Sequence, residues 1–130
     1  MPEVTIDKPA HPQASPQTTE SLSATLVNQT PGDLVLVKSS SGMQWTRPPP
    51  STLSPGQSGQ FSSPGNFSTP ASGYVVYQSA AVNNATFTLS WDIPSMGANS
   101  IRWQTTEGLT AQESGSLSGW NLSASWFIGG

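Results

Sequence analysis

Apolar and polar residues alternate along much of this chain. The clearest run is Thr86-Phe87-Thr88-Leu89-Ser90-Trp91, which puts Phe87, Leu89 and Trp91 on one face and the hydroxyls on the other. A second run sets Trp120, Leu122, Ala124, Trp126 and Ile128 against Asn121, Ser123 and Ser125. Weaker alternation predicts strands over residues 22–27, 34–38, 43–46, 57–62, 74–78 and 100–104. Pro- and Gly-bearing breakers separate them, at Thr30-Pro31-Gly32-Asp33, Ser54-Pro55-Gly56, Pro64-Gly65-Asn66 and Glu107-Gly108. Between Thr105 and Gly119 the pattern fades, so a turn followed by a poor edge strand is expected there.

No window carries a helical period, and Pro48-Pro49-Pro50 would interrupt one. About eight short strands at this spacing predict an all-β fold, a single antiparallel β-sandwich, with a closed barrel as the alternative. Residues 1–20 fall outside the pattern. They hold Pro2, Pro9, Pro12 and Pro16, and their only large apolar side chains are Met1, Val4 and Ile6. Such a stretch buries too little to offset its ordering entropy, so it reads as a flexible Pro-rich arm before a binding domain over residues 21–130.

Composition narrows the function. Charged residues make up 8% of the chain and the net charge is −3. Lys8, Lys38, Arg47 and Arg102 are scattered, which excludes the cationic cluster that nucleic acid or a strongly anionic membrane requires. There is no cysteine, hence no disulfide or thiol chemistry. No apolar signal-peptide core and no run of about eighteen apolar residues is present. The expectation is a soluble chain, cytoplasmic until released; if it acts outside the cell, it leaves by a route not written in this N-terminus. Catalysis finds no machinery. The one histidine, His11, lies in the arm, and Asp33, Asp92, Glu107 and Glu113 read as solvated loop acids rather than an acid pair. No cofactor loop and no metal ligand set is recognisable.

The five tryptophans stand out in so polar a chain. Trp91, Trp103, Trp120 and Trp126 share faces with aliphatic residues and read as core. Trp45, in Gly42-Met43-Gln44-Trp45-Thr46-Arg47 before the triple proline, sits where a strand runs into a loop, equally suited to core or surface. Tyr74 and Tyr77 fall on opposite faces of one strand, so one of them points outward. The segment Trp91-Asp92-Ile93-Pro94-Ser95-Met96-Gly97-Ala98-Asn99 leaves a strong strand and turns on Pro and Gly. It reads either as a plain connection capped by Asp92, or as a loop that presents Ile93 and Met96 to an apolar partner.

That segment resembles the corresponding stretch of the aegerolysins, a family of small acidic β-sandwich proteins. The resemblance extends loosely over residues 21–99 through Asn28, the Gly42–Trp45 turn, Leu53-Ser54-Pro55-Gly56 and Gly73-Tyr74-Val75-Val76-Tyr77. It implies a non-catalytic protein that recognises membrane lipids of the sphingolipid type. It also implies a larger pore-forming protein partner and haemolytic or insecticidal action. Trp45, Trp91 and Asp92 are the positions that carry over by motif. With Tyr74, Ile93, Met96 and Asn99 they form the candidate lipid-binding set. The family often has a cysteine and a second tryptophan flanking the proline; here Ile93 and Ser95 stand there, and the loop is one residue longer, a departure that implies either loss of lipid binding or a change in which lipid is read.

Two other readings fit the residues. A carbohydrate-binding module or lectin would stack sugar on an exposed tryptophan beside amides. A structural interaction domain, or a homo-oligomer, would use Trp126-Phe127-Ile128, whose apolar side chains point to both faces of the last strand.

Overall fold

The structure, a computed structural model, describes residues 3–6 and 20–130. Within them the chain is all-β, two sheets packed as a sandwich around one core. The strands are β1 (Glu3–Ile6), β2 (Ser21–Gln29), β3 (Leu34–Ser41), β4 (Thr52–Leu53), β5 (Ser58–Pro64), β6 (Ala71–Ser79), β7 (Ala85–Ile93), β8 (Asn99–Thr105), β9 (Thr110–Ser116) and β10 (Asn121–Gly129). One sheet has the order β1-β8-β7-β6-β3-β4 and the other β5-β2-β10-β9. The arm expected over residues 1–20 lies mostly outside the described residues. Within that span, Glu3–Ile6 pairs antiparallel with β8, and Glu20 is buried.

The alternation read from sequence is the alternation of burial. Phe87, Leu89, Trp91 and Ile93 of β7 pack inward with Val75 and Tyr77 of β6 and Ile101 and Trp103 of β8. Leu22, Leu26, Phe61, Leu122, Trp126 and Ile128 meet them from the other sheet. Trp103 and Trp126 stack edge-on across the interior, 5.8 Å between centroids. Gly73 of β6 lets the Trp91 indole lie across that strand, since a Cβ would collide with the ring and with the Ser40 carbonyl.

Three features depart from the expected sandwich. There are ten strands rather than about eight: β1, β4 and the faint edge strand β9 lie outside the eight alternating runs, and one of those runs forms no strand. The pairing is not wholly antiparallel: β10 runs parallel to β2 in unbroken register from Asn121↔Ser21 to Gly129↔Gln29. Parallel neighbours need a long crossover, and here nearly the whole domain serves as that crossover. Residues 43–46 form no strand. This stretch leaves β3 for the edge of β5, where Thr46 N–H donates to the Ser62 carbonyl and Ser62 N–H to the Arg47 carbonyl. The triple proline then returns the chain to β4, held by the Tyr77 hydroxyl donating to the Pro50 carbonyl at 2.6 Å. Burial raises the pKa of that phenol.

Asn28 interrupts the inward series Leu22, Ala24, Leu26 and is completely buried. Its Nδ2 donates to the carbonyls of Gly32 and Leu53 at 2.8 Å each. Its Oδ1 accepts from the Thr30 backbone N–H at 2.9 Å and the Thr30 hydroxyl at 2.7 Å. One amide thus fixes both the β2–β3 turn and the short strand β4.

Residues 105–119 behave as expected, a turn and then edge strand β9. Glu113 points inward from this edge beside Trp126, its register partner. Glu113 Oε2 and Trp126 Nε1 are both buried without a hydrogen-bond partner. An inward-pointing charge on an edge strand discourages pairing with another chain, at a cost in stability. Desolvation raises the Glu113 pKa in the folded state. The folded protein therefore holds the proton to higher pH than the unfolded chain, and stability falls as pH rises through that window. Glu113→Gln is expected to raise the melting temperature at pH 7, with the gain closing as the pH falls towards 4.5. Thermal melts of both proteins across that range check it.

Among the described residues, no helix is long and apolar enough to cross a membrane.

Candidate functional site

The residues singled out in the sequence do not converge on one surface. Trp91, Ile93 and Asn99 face the interior: Ile93 and Asn99 are fully buried and Trp91 is nearly so. Ile93 is the last residue of β7, still in phase with the core, so it is not presented by the loop that follows. Trp91 Nε1 donates to Ser63 Oγ at 2.9 Å, and Asn99 Nδ2 donates to the Gly119 carbonyl at 2.8 Å. Trp45 is half-buried, packed against the rings of Phe61 and Trp91 at 5.6 and 5.9 Å. Tyr74 and Asp92 are exposed on the outer face of the six-stranded sheet, on adjacent strands, where Tyr74 pairs with Ser90 and Asp92 with Ser72. Met96 alone stands at the tip of a loop, 58% exposed.

Three loops meet at that end of the sandwich: residues 65–70, 94–98 and 117–120. Ser95 joins them. Its hydroxyl donates to the Phe67 carbonyl at 3.1 Å, and its own carbonyl accepts the Trp120 indole N–H at 2.8 Å. The first loop is built on Asn66, whose Oδ1 accepts from Ser68 N–H, Ser68 Oγ and Thr69 N–H. This side-chain-mimicked turn leaves Phe67 at its apex, 43% exposed. The second loop reverses at Gly97, whose φ of +94° suits glycine. None of the three loops contains a charged residue.

Phe67 and Trp120 were not singled out from sequence as surface residues. Phe67 had a usable signal, an aromatic side chain inside a Pro-Gly-Asn breaker where no strand could bury it. Trp120 shares parity with Trp126, but β10 begins at Asn121, and the indole turns back to brace the neighbouring loop.

The opposite end is more polar. Asn83 and Asn84, both left-handed at φ 55° and 60°, line an open depression of about 510 Å³ with Thr106, Glu107 and Gly108. No aromatic side chain lines it. Among the described residues, no cluster of His, Cys, Asp or Glu could hold a metal ion.

No family model and no curated protein matches this sequence. The aegerolysin resemblance accordingly rests on the motif residues quoted above alone.

Proposed function

We propose that the protein recognises a membrane-lipid surface of the sphingolipid type through the end of the sandwich built by residues 65–70, 94–98 and 117–120. The observation that supports this reading best is the pair of exposed apolar side chains, Phe67 and Met96, on two loops tied together at Ser95. Two such residues held together at the apices of braced turns suit an interfacial site. The uncharged loops suit a neutral or zwitterionic surface, where no cation is needed. Tyr74 and Asp92, on the sheet face beside this end, are placed to meet headgroups rather than acyl chains.

Shallow insertion of two such side chains supplies a few kcal/mol, since a large apolar side chain fully buried contributes about 1.5–3 kcal/mol. That is weak for one copy. The reading therefore includes the larger pore-forming partner that the resemblance implies, and release from the cytoplasm to act on a target membrane. A sugar site draws less support, because no tryptophan is among the exposed large apolar side chains.

Trp45 and Trp120 are the two half-buried tryptophans; the other three are buried. In a Trp45→Phe variant, acrylamide quenching therefore reports mainly on Trp120. Sphingolipid vesicles are expected to reduce that quenching. Unchanged quenching at saturating lipid would remove the three-loop end from the membrane contact.

A further inference from the structure

The two outer faces of the sandwich differ in charge. Lys38, Asp92 and Arg102 point outward from the six-stranded sheet. No outward position of β5, β2, β10 or β9 is charged; Glu113 of β9 points inward, and Arg47 reaches the rim of this face, where it donates to Gln60 of β5. The registers align hydroxyls in rows across this face, such as Ser62, Ser23, Ser123 and Ser116. One row differs: it holds Val27 beside Phe127, neither of them fully buried by the chain's own fold.

We propose that this face docks a second copy of the same chain, four-stranded sheet on four-stranded sheet, about a two-fold axis along the boundary between β2 and β10. The face is self-complementary about that axis. Rotation brings β2 of one copy over β10 of the other, so Phe127 meets Val27 twice and each hydroxyl row meets itself. A hydroxyl both donates and accepts, so such rows can pair with their own kind. A chain of net charge −3 repels its copy wherever charges face one another, and among the outward positions of these four strands none is charged; Arg47 reaches only their β5 margin, at Gln60. Nucleic acid and anionic lipid need cations that this face lacks. An unrelated protein partner would be expected to find several aromatic or arginine anchors, where this face offers Phe127.

Four strands about 4.8 Å apart and about eight residues long at 3.4 Å each give a face of roughly 500 Å². Pairing two copies would bury about 1,000 Å², the lower edge of specific interfaces, so association in solution is weak. The two-fold axis runs along the strands and leaves both three-loop ends on the same side. Docking itself does not depend on the lipid reading. Where that reading holds, one membrane engages both copies, and weak contacts add by effective concentration.

The chain has no cysteine, so a single introduced thiol reports the contact cleanly. Ser125→Cys places a thiol on β10 near the axis, and Ser90→Cys places one on the opposite face as the control. With a short bismaleimide and no lipid present, Ser125→Cys is expected to give at least tenfold more covalent dimer than Ser90→Cys. Ser123→Cys, more exposed on this face than Ser125, should give the result expected of Ser125→Cys if the latter folds poorly. Equal cross-linking from both faces, or none from either β10 thiol in folded protein, would overturn the proposal. Retention of a monomer on an insoluble neutral polysaccharide, lost in Ser125→Glu, would overturn it too by assigning the face to sugar. Because no vesicle is used, failure here is separable from failure of the membrane reading.

Discussion

Asn28→Ala is expected to lower the unfolding free energy by about 2–3 kcal/mol, from three buried hydrogen bonds at roughly 1 kcal/mol each, one of which the Thr30 hydroxyl can redirect to the Gly32 carbonyl. The loss has a structural address. The Leu53 carbonyl loses the Asn28 donor and the Thr30 N–H its acceptor, while the Thr30 hydroxyl and the Gly32 carbonyl keep one another at 2.8 Å. The β2–β3 turn and β4 should loosen together, because one side chain holds both. Urea unfolding at pH 7 measures the difference. Asn28→Asp separates shape from donation: it keeps the volume and both acceptors of Thr30 but aims carboxylate oxygens at two carbonyls. Burial then raises the carboxyl pKa in the folded state, so this variant should recover stability as the pH falls and lose it as the pH rises. Equal stability of Asn28→Asp and the native chain at pH 7 would show that the two donated bonds contribute little.

The second large effect concerns binding. Phe67→Ser with Met96→Ser is expected to weaken vesicle binding by about 30- to 140-fold with the melting temperature nearly unchanged. Both side chains are substantially exposed, so the fold loses little when they are cut back. Each could transfer part of its apolar surface to the membrane, and about 2–3 kcal/mol for the pair converts to that range at 1.4 kcal/mol per tenfold. Ile93→Ser should do the opposite, destabilising the domain through a fully buried position at the end of β7. Vesicle flotation beside thermal melts of both variants distinguishes contact from core.

The strands were legible in the sequence because period-two alternation is itself the signature of a half-buried sheet. β7 was read nearly residue for residue, and the weak edge strand β9 was expected from the fading pattern. The parallel β2–β10 pair was not legible, since alternation says which face a residue takes but not which strand lies beside it. Residues 43–46 misled for a related reason. Met43 and Trp45 alternate with polar residues as in a strand, yet they belong to a crossing between sheets, and Trp45 is held by the rings of Phe61 and Trp91. The site was legible only in part. Met96 followed from the Pro and Gly around it, whereas Ile93 and Asn99 were drawn into the set by proximity in sequence to that loop. Strand phase carries both inward, and Asn99 bonds the Gly119 carbonyl from within. Phe67 escaped because its loop joins the others through Ser95, a contact between segments 28 residues apart.

Flotation of the native chain with vesicles that differ only in sphingolipid content tests the central claim most directly. The protein should rise with sphingolipid-containing vesicles, stay behind with phosphatidylcholine alone, and stay behind on both when Phe67 and Met96 are serine. A folded native chain that floats with no composition, or a double variant that floats as well as the native chain, would contradict the account.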